Sequence, residues 1–144
     1  MPYISLVTLG VDDLSRAIEF YERLGWRRSS ASVEGTVAFL LGGPVVLALW
    51  GREDLAADAK LSLPTSTEGD AVALAMNVGS AEEVDQVIAS AGDAGATIPR
   101  GGEGTDWGGY SGYFMDPDGH LWEVAHNPFW ELLEDGRIAL PDSG

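Results

Sequence analysis

A chain of 144 residues, 45% of them hydrophobic and 22% charged, has the size and composition of one soluble globular domain rather than a disordered segment. Its 8 basic against 23 acidic residues leave a formal charge of −15, a surface that repels phosphate backbones and anionic lipid, so neither nucleic acid nor membrane is expected as a partner. The absence of cysteine excludes disulfides, thiol nucleophiles and zinc-thiolate sites; with no apolar run near the ~20 residues of a membrane helix and no basic flank at the N-terminus, a cytoplasmic location is expected.

In chain order, residues Tyr3 to Val11 read as a strand of mostly apolar and β-branched residues. Asp12 and Asp13 then offer caps for a helix carrying Leu14, Ile18, Tyr21 and Leu24 on one face. Gly25 stops that helix in the left-handed conformation glycine enters cheaply. Strands are predicted over Trp26 to Val33, Thr36 to Leu41 and Val45 to Trp50, separated by turns at Glu34-Gly35 and Gly42-Gly43-Pro44. Gly51 to Asp70 is polar and without a sustained period, which predicts a connection with one short helical turn near Leu55.

The pattern then restarts. Ala71 to Val78 reads as a strand, Ser80 and Glu83 fit a capping box, and the helix they open places Val84, Val87, Ile88 and Ala91 on one face before Gly95. Strands follow at Thr97 to Arg100, Tyr110 to Met115 and Leu121 to His126. The last two flank Asp116-Pro117-Asp118-Gly119, the sharpest turn signal in the chain, where proline fixes one dihedral and glycine takes a positive one. Both halves therefore read βαβββ. Matched positions Val11 and Val78, Gly25 and Gly95, Gly43 and Gly119 are 67, 70 and 76 residues apart, a drift that small insertions explain.

This text, VTLGVDDLSRAIEFYERLGW in the first half and GYFMDPDGHLWEVAHNP in the second, resembles the vicinal oxygen chelate superfamily of glyoxalase I, the extradiol dioxygenases and the bleomycin-resistance proteins. The resemblance implies an α+β fold of two tandem βαβββ modules forming a curved eight-stranded cup: one domain over 1–144, with module one at 1–50, a linker at 51–70, module two at 71–126 and a packing tail at 127–144. It also implies a site inside the cup and a homodimer, with the two sheets curving around a shared cleft either within the chain or across the dimer. The metal-dependent members place ligands at positions that here correspond to Leu6, Leu47, Ala73 and Glu123. Three of these have no ligand atom, and one glutamate cannot hold a divalent ion against water. His120 and His126 stand odd numbers of residues from Glu123, so strand alternation turns them to the opposite face. Neither a metal nor another cofactor is expected.

By alternation the inward set is Ile4, Leu6 and Thr8, then Val45, Leu47 and Leu49, then Ala71, Ala73 and Ala75, and finally Leu121, Glu123 and Ala125. Val7, Leu9, Leu74, Met76, Trp122 and Val124 are expected to pack under the helices. Apolar concavity with few polar groups is the character of a small-molecule site. Leu6, Thr8, Leu47, Leu49, Ala73, Leu121 and Glu123 are its expected lining. Trp107 and Tyr110, on a glycine-rich segment from Gly101 to Gly112, are placed at its rim, where they could stack on a ligand or anchor the loop in the core. Glu123 has three readings: a carboxylate tied to a neighbour for structure, a general base whose pKa desolvation raises, or a counter-ion for a cationic ligand. Two functions follow. One is metal-free sequestration of a small aromatic or cationic molecule; the alternative is a lyase or isomerase of the glyoxalase type, in which Glu123 moves a proton on a small carbonyl compound. In the tail, Phe129, Trp130, Leu132 and Leu133 are expected to pack on a sheet edge or a second subunit, and Glu134-Asp135-Gly136 to form a turn.

Overall fold

The computed structural model describes residues 3–62 and 72–141. Its first module contains β1 (Leu6–Val11), α1 (Leu14–Arg23), β2 (Arg27–Arg28), β3 (Val37–Leu41) and β4 (Val46–Gly51), and α2 (Arg52–Ala59) follows. The second contains β5 (Ala73–Asn77), α3 (Ala81–Ala94), β6 (Thr97–Gly104), β7 (Tyr110–Met115) and β8 (Leu121–His126), with a short tail hairpin of β9 (Glu131–Leu132) and β10 (Ile138–Ala139). The sheets repeat one another: β1-β4-β3-β2 in the first module and β5-β8-β7-β6 in the second. In each, the first strand runs parallel to the last, and the helix carries the chain from the first strand to the second, at the opposite edge of the sheet.

Local chemistry accounts for the boundaries. Asp13 caps α1 by accepting the Arg16 amide, and Ser80 caps α3 by accepting that of Glu83. Gly25 and Gly95 take φ of +101° and +116° just past the two helices, where any other residue would be strained. Three segments differ from the expectation. The second strand shrinks to Arg27–Arg28. The connection after β4 forms the eight-residue helix α2; its alanines favour helix, although its apolar residues make no stripe. Most of the expected loop from Gly101 to Gly112 is strand: β6 runs on to Gly104 through two register shifts, leaving only residues 105–109 between it and β7.

The core is one continuous cluster that crosses the modules. Leu9, Val11, Leu47 and Leu49 of the first sheet, Phe20 and Tyr21 of α1, Val84 and Ile88 of α3, and Phe114, Trp122 and Val124 of the second sheet are all in it. Phe114 and Trp122 stack with their rings 5° from parallel, and Phe20 and Tyr21 reach across to them with centroids at 6.2 and 6.1 Å. The modules thus meet through their helix-covered faces, and the other face of each sheet is left accessible. Leu6, Ala73 and Ala75 are exposed there.

This partition confirms part of the expected alternation and corrects part. Val7, Leu9, Leu74, Met76, Trp122 and Val124 all lie on the core side. Leu47 and Leu49 do as well, at 3% and 0% exposure, and so are not open-face residues. The parallel register pairs them with Val7 and Leu9, while Val46 and Ala48 pair with Leu6 and Thr8. Ala71 lies outside the described residues. In the tail, Gly136 turns with φ of +92° as expected, but Phe129 and Trp130 are 75% and 43% exposed and so are not covered by a sheet edge among the described residues.

Candidate functional site

The open face of the second sheet carries a row of chemically distinct residues that the strand register lines up: Arg100 on β6, Tyr113 on β7, Glu123 on β8 and Ala75 on β5. Arg100 is held in place. Its guanidinium donates to the Ser111 carbonyl at 2.8 Å and hydroxyl at 2.9 Å, pairs with Glu103 at 3.1 Å, and lies 5.1 Å from the centre of the Tyr113 ring. The Tyr113 hydroxyl donates to Glu123 Oε2 at 3.4 Å. Glu123 is half-buried, with exposed Ala73 and Ala75 on the strand beside it. The row therefore offers a cation, an aromatic face and a carboxylate in sequence, next to a wall of methyl groups with room above it.

Leu121 is half-buried on this face, opposite Met115. Thr8 is half-buried on the open face of the first sheet, opposite Ala48; the same pairing adds Phe39 beside Ala48. Gly10, at the end of that face, is backed by the Arg52 stem and Leu55 of α2, which pack where a side chain would stand. Tyr110 belongs elsewhere. It packs against the core, and its hydroxyl donates to Asp85 of α3 at 2.8 Å, because β7 alternates and Tyr110 shares the face of Phe114, not that of Tyr113. Trp107 is 46% exposed; its ring lies across Gly109, and Phe129 rests against Gly108. It marks the end of the β6–β7 hairpin and is not in the row.

The sequence reading missed Tyr113, although a signal for it exists: the four-residue turn Asp116–Gly119 and the following His120 put Met115 opposite Leu121 and so Tyr113 opposite Glu123. A second group has no such signal in the sequence. Asp116, 3% exposed, gathers four donors. One oxygen accepts the amides of Asp118 and His120 at 2.9 and 2.8 Å; the other meets the His120 Nδ1 at 2.8 Å and accepts the Tyr21 hydroxyl of α1 at 2.6 Å. Trp122 Nε1 donates in turn to Tyr21. Asp118 accepts the Asp12 amide and Arg16, at 2.9 and 3.0 Å, and Asp12 pairs with Arg52 at 3.2 Å. Burial alone would lower the His120 pKa, but its bond to the Asp116 carboxylate raises it overall. Burial pushes Asp116 the other way, and the His120 and Tyr21 bonds bring it below the ordinary carboxylate range. Asp118 is raised by its burial, and burial beside Asp116 raises Tyr21 well above the phenol range.

Comparison with known proteins agrees with this architecture. The family model of the glyoxalase, bleomycin-resistance protein and dioxygenase superfamily matches residues 3–124. The chain belongs to that superfamily. Among solved structures, a glyoxalase-related enzyme from Fulvimarina pelagi is 31% identical, with a TM-score of 0.88 over 99% of this chain and 100% of that one. A glyoxalase/bleomycin-resistance protein/dioxygenase from Nocardioides is 26% identical, with a TM-score of 0.74 over 99% and 91% of the two chains. A lactoylglutathione lyase from Agrobacterium tumefaciens is 23% identical, with a TM-score of 0.68 over 89% and 96%, and shares the fold. A search of curated proteins finds no match.

The superfamily includes metal-dependent members, and the donor set here can be compared with what a metal requires. Leu6, Thr8, Val46 and Ala48 on the open face of the first sheet, and Ala73, Ala75 and Leu121 on that of the second, add no carboxylate or imidazole to Glu123. Among the described residues no three His, Cys, Asp or Glu side chains come together as a metal site. The described residues of these faces do not fit a divalent ion, which needs several such donors.

Proposed function

We propose that this superfamily member binds a small aromatic or cationic molecule on the open face of its second sheet, without a metal, using Glu123 and Tyr113 as its polar contacts. The observation that supports this most is the row itself. Glu123 is a half-buried carboxylate reached only by one long hydroxyl bond among the described hydrogen bonds, so it keeps acceptor capacity for a donor or cation brought by a ligand. Ala73 and Ala75 leave space for an apolar body, and Leu121, Met115 and Tyr113 supply the walls.

The cup is completed by a second copy of the chain. Each sheet has a face outside the shared core. Stacking the first sheet of one copy on the second sheet of another covers Leu6 and encloses the row.

The alternative function is enzymatic: Glu123 takes a proton from the carbon beside a carbonyl. The Tyr113 hydroxyl favours this reading modestly, since it could donate to the oxygen on which charge develops, although one such donor is a small share of what enolate formation needs. Titrating wild-type protein, Glu123→Gln and Tyr113→Phe with a panel of aromatic amines, quaternary ammonium compounds and neutral isosteres tests the first reading, and assaying the same proteins with 2-oxoaldehydes tests the second. Binding of cations but not isosteres, weakened about tenfold or more in Glu123→Gln, is expected; each factor of ten is about 1.4 kcal/mol. Turnover in the wild type that Glu123→Gln abolishes would replace sequestration with catalysis.

A further inference from the structure

The β7–β8 hairpin has two working parts. Its open face carries Tyr113 and Glu123; its turn carries Asp116, Asp118 and His120, of which the two aspartates grip the first module and His120 braces Asp116. We propose that Asp116 and His120 are a pH-responsive positioning pair: they dock this hairpin on α1 and so set the placement of Tyr113 and Glu123, most firmly when the imidazole is protonated.

The bonds at Asp116 show how. This carboxylate joins the two sides on a single oxygen, which takes the Tyr21 hydroxyl from α1 and the imidazole from its own hairpin. When His120 is protonated, that oxygen receives a charge-assisted bond, roughly twice as strong as a neutral one. When it is neutral, the same bond can persist through the Nδ1–H tautomer but loses its charge. Asp116 and Asp118 from its hairpin and Arg52 from α2 act on His120, and these are bonded in turn to Tyr21 and Arg16 from α1 and to Asp12 just before α1. In the neutral to mildly alkaline range Asp116, lowered by its bonds, and Tyr21, raised by burial beside Asp116, keep their charge states, whereas an imidazole loses its proton. His120 is therefore the member of the cluster that changes charge there. The matching turn of the first module, Gly42-Gly43-Pro44, contains neither an acid nor an imidazole.

The test is residue-resolved NMR on the whole protein. With only two histidines in the chain, the imidazole titrations resolve, and His126, whose ring meets the Val78 carbonyl, serves as the control. We expect the His120 midpoint to lie above the ordinary imidazole range and the Tyr21 ring and Tyr113 signals to move with that same midpoint. Amide exchange, corrected for intrinsic pH dependence, should show several-fold loss of protection in β7 and β8 as pH rises through that midpoint, with none in β3 and β4. His120→Gln should remove that pH dependence, and His126→Gln should leave it. If wild-type Tyr21 and Tyr113 signals do not follow the His120 midpoint, or if His120→Gln keeps the full pH dependence, the proposal fails. The wild-type titration decides the matter even if the variants do not fold.

Discussion

The two closing hairpins, β3–β4 and β7–β8, occupy the same place in the repeated module and are built on opposite principles. The first turns through Gly42-Gly43-Pro44 and is fixed by what lies behind it: Ala38, Leu40, Leu47 and Leu49 sit in the core at 3% exposure or less, while the turn offers no side chain that could bond to the other module. The second has the same apolar backing in Phe114, Trp122 and Val124, but adds a turn whose carboxylates hold the other module, one of them braced by an imidazole. A duplicated fold has thereby divided its labour. One hairpin is held by burial and the other also by directed polar bonds, which makes the second both the joint between the modules and the carrier of the candidate site.

The largest expected effect that separates them is at Asp116. Asp116→Ala removes the acceptor for two amides, Tyr21 and His120, and should cost about 3 kcal/mol or more in urea denaturation, whereas Gly43→Ala, which has only the Asp135 carbonyl near it, should stay within about 0.5 kcal/mol. A small loss at Asp116 would mean that the two turns are equivalent.

Next comes the contrast between the faces of one sheet. Leu49→Ala should cost about 2–5 kcal/mol. Leu6→Ala, at a residue 41% exposed, should cost under about 1 kcal/mol in the dilute monomer, and should weaken self-association at higher concentration, measured by sedimentation. Equal losses would show that the face assigned as open is buried.

That contrast also shows what a sequence can disclose. In β8, Leu-Trp-Glu-Val-Ala places a single acid among apolar residues, and the period of two then fixes which side each residue takes; Trp122, Glu123 and Val124 all fall where alternation puts them. In β4, Val-Leu-Ala-Leu-Trp has no polar residue to set the phase, and the strand can be read either way. Only its parallel pairing with β1 settles it, moving Leu47 and Leu49 to the core. The repeat, caps and positive-φ glycines were legible because they depend on local backbone chemistry. The bond from Asp116 to Tyr21 was not, since it joins residues 95 apart and nothing in the intervening text links a turn to a helix of the other module.

A smaller effect separates the hairpins by pH. Because the folded state raises the His120 pKa, its contribution to stability is full below the ordinary imidazole range and is lost as pH rises through the raised value. Because the folded state lowers that of Asp116, its contribution is present above the ordinary carboxylate range and is lost as pH falls through the lowered value. Stability should therefore peak in the mildly acidic window between them, and His120→Gln should flatten the alkaline side of that curve in thermal denaturation. An unchanged alkaline slope would place the titrating group elsewhere.

The central claim is that Glu123 serves a ligand and not the scaffold. Paired measurement of folding stability and of affinity for an aromatic cation, in wild type and Glu123→Gln, tests it most directly. The account predicts stability within about 1 kcal/mol of wild type, because the substitution weakens only a 3.4 Å bond from the Tyr113 hydroxyl, together with affinity reduced about tenfold or more. A stability loss above about 2 kcal/mol, the scale of breaking a buried charged hydrogen bond, with affinity unchanged, would contradict it.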